Sequence, residues 1–162
     1  MRRILAAVAI AAASFAVGVD ATVSPVHAAP AGFTDTLVPG SATNPLASPT
    51  AITPMPDGRA LILEKGGAVR VLLADGTLSA TDALTLSVCT NSEEGLLGAA
   101  IDPNFATNGF VYLYYTRVAV AGCAAPSGAV NRVSRFTMTG NTISAASELI
   151  LLDNMNIPAG NH

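Results

Sequence analysis

The stretch EEGLLGAAIDPNFATNGFVYLYYT, residues 93 to 116, decides the fold. Two short runs of aliphatic, aromatic and β-branched residues, LLGAAID and GFVYLYYTR, flank PNFATN, a joint rich in turn formers. Runs of this length, punctuated in this way, predict antiparallel strands rather than helices. Gly95 and Gly98 bracket two leucines at the start of the first run, where the lack of a side chain lets strands crowd toward a common axis. Glu93 and Glu94 come just before, in the loop that would rim that axis. Neighbours in extended chain point to opposite faces, so these two are not a matched acid/base pair. One is expected to face the channel and the other water.

The same plan extends in both directions. Upstream, TAIT, RALILEK, GAVRVLL and ALTLS read as four successive strands joined by MPDG, GG and ADGT, where glycine supplies the positive φ of tight hairpins. Downstream, VNRVSRFTM and SELILL complete a second set of four, with a cysteine-bearing loop and TGNT as joints. ADGTLSATDALTL is answered by TGNTISAASELIL, and the Pro-Asp-Gly before RALIL by the Pro-Asn before GFVYLYY. Two copies of a four-stranded unit, repeating at about 45 to 50 residues, predict an all-β chain of propeller blades. A β-sandwich of eight strands is the competing reading.

The predicted organisation is a leader at 1–28, a lead-in at 29–48 with one strand at Phe33 to Val38, blade 1 at 49–90, blade 2 at 91–156 and the start of a third blade at 157–162. Propellers close with four to eight blades, so two would leave faces and edges uncovered. The chain is therefore expected to be the first two blades of a six-bladed ring, either a truncated record or a natural short product.

The leader reads as a signal peptide. Arg2 and Arg3 precede an apolar run at residues 4–19, shorter than the roughly 20 residues of a membrane span. Val26 and Ala28 are the small residues that signal peptidase accepts. An uncleaved anchor is the alternative. Cleavage after Ala28 leaves 134 residues and moves the net charge from −3 to −4, because two arginines and Asp20 are lost. With no basic cluster, nucleic acid and anionic lipid are unlikely partners by charge. The expected destination is the periplasm or the medium, with no stable membrane span after cleavage. Both cysteines survive, Cys89 and Cys123, and an oxidising compartment favours their pairing over two unpaired thiols.

HExxH, GxSxG, a calcium loop and a strand-following GxGxxG are all absent from the sequence. Asp57-Gly58 and Asp75-Gly76 read as hairpin turns rather than ligands.

The stretch EEGLLGAAIDPNFATNGFVYLYYT, followed by NRVSRFTMTGN and GNH, resembles the opening of the glucose/sorbosone dehydrogenase family, and NPLASPTAITPMPDGRALILEKGGAVRVL resembles its first blade. The resemblance runs from about Phe33 to His162. It implies a secreted six-bladed propeller of the soluble quinoprotein kind, in which pyrroloquinoline quinone oxidises an aldose and calcium ions bind the cofactor. It also implies a sugar substrate and an electron acceptor as partners. His162 falls where the family carries the base that takes the sugar hydroxyl proton, a task suited to a neutral imidazole. Asn161 stands where some members have an aspartate that orients this histidine. An amide there can hydrogen-bond but cannot offset the developing charge. Glu93 occupies the place of a glutamine near the sugar, so a carboxylate changes the local charge. The family's cofactor clamp comes from later blades, which makes the isolated chain an expected non-catalyst. A non-enzymatic extracellular propeller that binds a protein or carbohydrate is the rival reading.

Overall fold

In the computed structural model, the residues described are 30–41, 43–118, 122–123 and 128–157. The chain divides into an N-terminal unit up to Asp35 and a second unit from Thr36. The described part of the first unit holds a turn in which the Phe33 amide donates to the carbonyl of Pro30 at 2.9 Å.

The second unit is built of two four-stranded antiparallel sheets, each a simple meander of consecutive strands. The first holds β1 (Pro49–Pro54), β2 (Ala60–Glu64), β3 (Ala68–Leu72) and β4 (Leu84–Thr85). The second holds β5 (Leu96–Ile101), β6 (Phe110–Val118), β7 (Ala129–Thr139) and β8 (Thr142–Met155). No strand crosses from one sheet to the other, which is the order of propeller blades and not of a Greek-key sandwich.

The joints explain the hairpins. At Met55–Arg59 the Gly58 amide donates to the Met55 carbonyl, Gly58 takes φ 86°, and Asp57 Oδ1 accepts from the Arg59 amide. Asp75 Oδ1 likewise accepts from the amide and hydroxyl of Thr77. Both aspartates are turn formers, as the sequence predicts. Gly67 is under a stricter demand, because a Cβ there would lie 2.1 Å from the carbonyl oxygen of Leu86.

The two sheets pack on one another through a single apolar cluster. Alternate residues of the central strands, Leu61 and Leu63 on β2, Val69 and Val71 on β3, Val111 and Leu113 on β6, are fully buried in it. Alternate residues share the cluster because successive side chains of a strand point to opposite faces of the sheet. On the other face of the first sheet, Arg70 and Glu64 are buried as an ion pair at 3.1 Å. Arg70 Nε stands 3.1 Å from Asp82 Oδ1, off the line of a hydrogen bond. The lead-in helps close this side, with the Leu78 amide donating to Pro39 and Asn44 Nδ2 to Ala80.

In the second sheet, Arg117 of β6 and Arg132 of β7 each reach both carboxylate oxygens of Asp153 on β8 at 2.8 to 3.1 Å. This double clamp holds the Asp153 carboxyl well below the usual carboxylate range, Arg132 contributing most and Arg117 next.

Four expectations need correction. Phe33 to Val38 carries no strand; its apolar side chains Phe33 and Leu37 are 73% and 70% exposed, so no sheet face calls for them. ALTLS yields only two strand residues, Leu84 and Thr85, paired with Val69 and Ala68, with backbone bonds from the Ala83 and Leu86 amides to Val69 and Gly67 flanking them. SELILL is the middle of a much longer β8, which keeps pace with β7 through three register shifts. PNFATN contains a single helical turn, α1 (Phe105–Asn108), closed by Gly109 at φ 64°.

Candidate functional site

The first strands of the two blades, β1 and β5, run beside each other. Thr50 Oγ1 donates to the Leu96 carbonyl at 2.6 Å and Thr53 Oγ1 to the Ala99 carbonyl at 3.3 Å. At the end where both strands begin lies a cleft of about 370 Å³ lined by Thr50, Lys65, Ser92, Glu93 and Leu97. Two hydroxyls, a carboxylate and an ammonium around one aliphatic side chain suit a small polar ligand with several hydroxyls.

Glu93 is exposed on this cleft, whereas Glu94 is 1% exposed inside the fold. The sequence predicts one acid toward the channel and the other in water; the second half fails. The reason is local. Ser92 adopts φ 48° and the Glu94 amide donates to Asn91, so the chain turns here and the alternation of an extended strand does not apply. Among the described residues, Glu94 Oε2 has no hydrogen-bond partner.

Gly95 meets the expectation of close approach: a Cβ would sit 2.7 Å from the Lys65 carbonyl oxygen, and its φ is 155°. Gly98 does not, since a Cβ there would be 3.7 Å from that of Tyr114, an ordinary contact. What the second glycine accompanies is a shift of register between Leu96 and Gly98.

The loop carrying Glu93 is fastened from several sides. Cys89 and Cys123 form a disulfide. Asn91 Nδ2 donates to the Cys123 carbonyl at 2.7 Å, and Lys65 Nζ to the Ser92 carbonyl at 2.6 Å. Beneath it, Thr116 Oγ1 accepts from the Gly95 amide and donates to Asn131 Oδ1, while Asn131 Nδ2 donates to the Tyr114 hydroxyl. Lys65 and Thr116 escape a reading of the sequence, because each looks like an ordinary strand-end residue until the fold brings it to this loop. His162 and Asn161 lie outside the described residues, as does the leader.

A larger cleft of about 430 Å³ opens at the opposite ends of the strands, between the β1–β2 turn, α1 and the β7–β8 hairpin. Its charged side chains are paired with each other, Arg59 with Asp57, and Arg59 also bonds Gly140 and Asn141 across the joint. It is a joint between blades, and the smaller cleft is the better candidate for ligand chemistry.

Neither the quinone nor calcium finds its holders among the described residues. No three His, Cys, Asp or Glu side chains converge there as metal ligands. The carboxylates of pyrroloquinoline quinone call for a basic cradle, and the cleft offers Lys65, bonded to Ser92, beside the carboxylate of Glu93. No described helix is long and apolar enough to cross a membrane.

Comparison with known proteins gives the site its context. The family model for glucose/sorbosone dehydrogenase matches residues 46–162. Among solved structures, a proposed oxidoreductase (glucose dehydrogenase) from Thermus thermophilus is 33% identical, with a TM-score of 0.53, and the match covers 67% of this chain and 30% of that one. The soluble aldose sugar dehydrogenase of Escherichia coli, in its apo form, is 24% identical with a TM-score of 0.59, covering 72% of this chain and 33% of that one. The PQQ-bound aldose sugar dehydrogenase of Streptomyces coelicolor is 24% identical with a TM-score of 0.50, covering 65% and 30%. The latter two likenesses speak for the fold. The chain spans about a third of the length of these structures. No curated protein matches it.

Proposed function

The chain belongs to the glucose/sorbosone dehydrogenase family, and from that premise we propose that it supplies the sugar-facing edge of an exported, quinone-dependent aldose dehydrogenase. The observation that carries this reading is the placement of Glu93 in the cleft at the origin of β1 and β5, among hydroxyls and beside Lys65. There its carboxylate accepts hydrogen bonds from sugar hydroxyls, which charge makes stronger than a neutral amide's would be.

In this reading His162 is the group that takes the hydroxyl proton, and Asn161, in the place of the aspartate that some members carry, is its orienting neighbour. Pyrroloquinoline quinone supplies the oxidising chemistry when bound, and calcium assists its binding. The holders of both groups are expected in blades beyond the second, as the family resemblance implies; the matched structures are about three times the length this chain spans. The described residues take the sugar side of the reaction: they bind and orient the substrate. The signal-peptide reading of residues 1–28 and the disulfide fit export to the periplasm or the medium.

The test is dye reduction by the protein expressed from its complete coding sequence, with pyrroloquinoline quinone, calcium and a panel of aldoses. Turnover is expected, and it should be lost in H162A. Glu93→Gln should raise the sugar KM several-fold. The 162-residue chain alone should give none. Failure of the complete protein to oxidise any aldose would sink the reading.

A further inference from the structure

We propose that Lys65 is a positioning residue: from the first blade it locks the loop of the second blade that carries Glu93, and so fixes the carboxylate's direction in the cleft. The consequence for sugar rests on the function proposed above; the locking itself does not.

Lys65 grips the loop at three points. Its ammonium donates to the Ser92 carbonyl at 2.6 Å. Its carbonyl oxygen accepts from the Leu96 amide at 3.1 Å. Between these points Gly95 lies so close that a Cβ would be 2.7 Å from the Lys65 carbonyl oxygen and 2.8 Å from its Cγ. Lys65 is itself held, because its amide donates to Ser48 at 3.0 Å. Glu93 therefore sits between Ser92, tied to blade 1, and Glu94, whose amide is tied to Asn91.

Ser92 supplies a second, independent sign. A serine at φ 48° is in a conformation that side chains other than glycine seldom hold unless their surroundings impose it. The bond from Lys65 falls on the carbonyl of this same residue. A charged donor on a neutral carbonyl is stronger than a neutral one, which suits it to holding a strained turn. The composition makes the residue conspicuous as well: Lys65 is the sole lysine of the sequence, beside seven arginines.

The test uses the full chain, without sugar or quinone, and reads amide hydrogen exchange. Lys65→Met keeps most of the stem and removes the donor. It should speed exchange at the hydrogen-bonded amides of Glu94 and Gly95 at least tenfold and leave β6 and β7 unchanged, while Lys65→Arg should keep the loop protected. Equal protection in Lys65→Met and the native chain, or faster exchange everywhere alike, would overturn the proposal. Should Lys65→Met not fold, acetylating the single lysine of the folded native chain removes the charge of the donor while leaving one N–H; loop exchange should still rise, and no rise would overturn the charge-assisted lock. In the aldose assay, Lys65→Met should raise the sugar KM at least fivefold and Lys65→Arg less than twofold. An unchanged KM with a loosened loop would end the positioning role. No turnover by the native protein would remove the dehydrogenase reading and leave the exchange result standing.

Discussion

The guanidinium of Arg59, at the start of β2 in the first blade, closes on Asn141 in the second, donating to its Oδ1 at 2.6 Å while also reaching the Gly140 carbonyl. Asp57 holds the same guanidinium from behind through Nε and Nη2. Arg59 is thus a strap across the end of the blade joint opposite the candidate site. Arg59→Ala should destabilise the chain by about 1 to 2 kcal/mol, a range set by partly exposed, charge-assisted hydrogen bonds. For a domain of this size that is a fall of roughly 4 to 8 °C in Tm. Calorimetry checks it, and an unchanged Tm would mean the strap bears no load.

Acid should release the second sheet through Asp153. Its carboxyl titrates lower in the folded chain than in the unfolded one because Arg132 and Arg117 bond to it. The stabilisation is therefore complete above the ordinary carboxylate value of 3.8 and drains away as pH falls below it. Urea midpoints measured from pH 6 downward should drop below about pH 4 in the native chain. Asp153→Asn should be less stable at pH 6 and show a flatter decline.

Reduction should cost more than the loss of a surface contact. The disulfide spans 34 residues, and opening a loop of that length removes about 3 to 4 kcal/mol on the chain-entropy account. Denaturant unfolding with and without dithiothreitol measures the difference. The Cys89→Ser/Cys123→Ser double variant should match the reduced chain and gain nothing from oxidant.

Two glycines at positive φ should answer differently to the same substitution. Gly76 has open space where a Cβ would go, whereas at Gly67 that atom would lie 2.1 Å from the Leu86 carbonyl oxygen. Gly76→Ala should cost about 1 kcal/mol, the backbone penalty alone. Gly67→Ala adds a collision with backbone that cannot swing aside, and should exceed it by about 2 kcal/mol or more. Equal losses would show that the turn relaxes freely.

The strands are legible in the sequence because their information is local. Alternating burial on β6 and β7 and the turn chemistry of Asp57-Gly58 and Asp75-Gly76 are written within a few residues. The errors arise where long-range packing decides. Nothing near Leu37 reports that its side chain stays exposed, and nothing in Glu93-Glu94 reports that Ser92 turns the chain and sends the second acid inward. Glu93 stands out through its place before GLLG. Lys65 does not, because its task is defined by a carbonyl 27 residues away.

The apolar cluster shared by the sheets shows that the unit of repetition is not the unit of packing. Sequence repeats blade by blade, yet Leu61 and Leu63 of one blade are buried in the same cluster as Leu113 and Phe136 of the next. A single blade cut out at the β4–β5 connection would therefore leave behind part of the core it packs into. For anyone grafting or shuffling modules from this protein, the sequence repeat is a poor guide to where to cut, because the core runs across it.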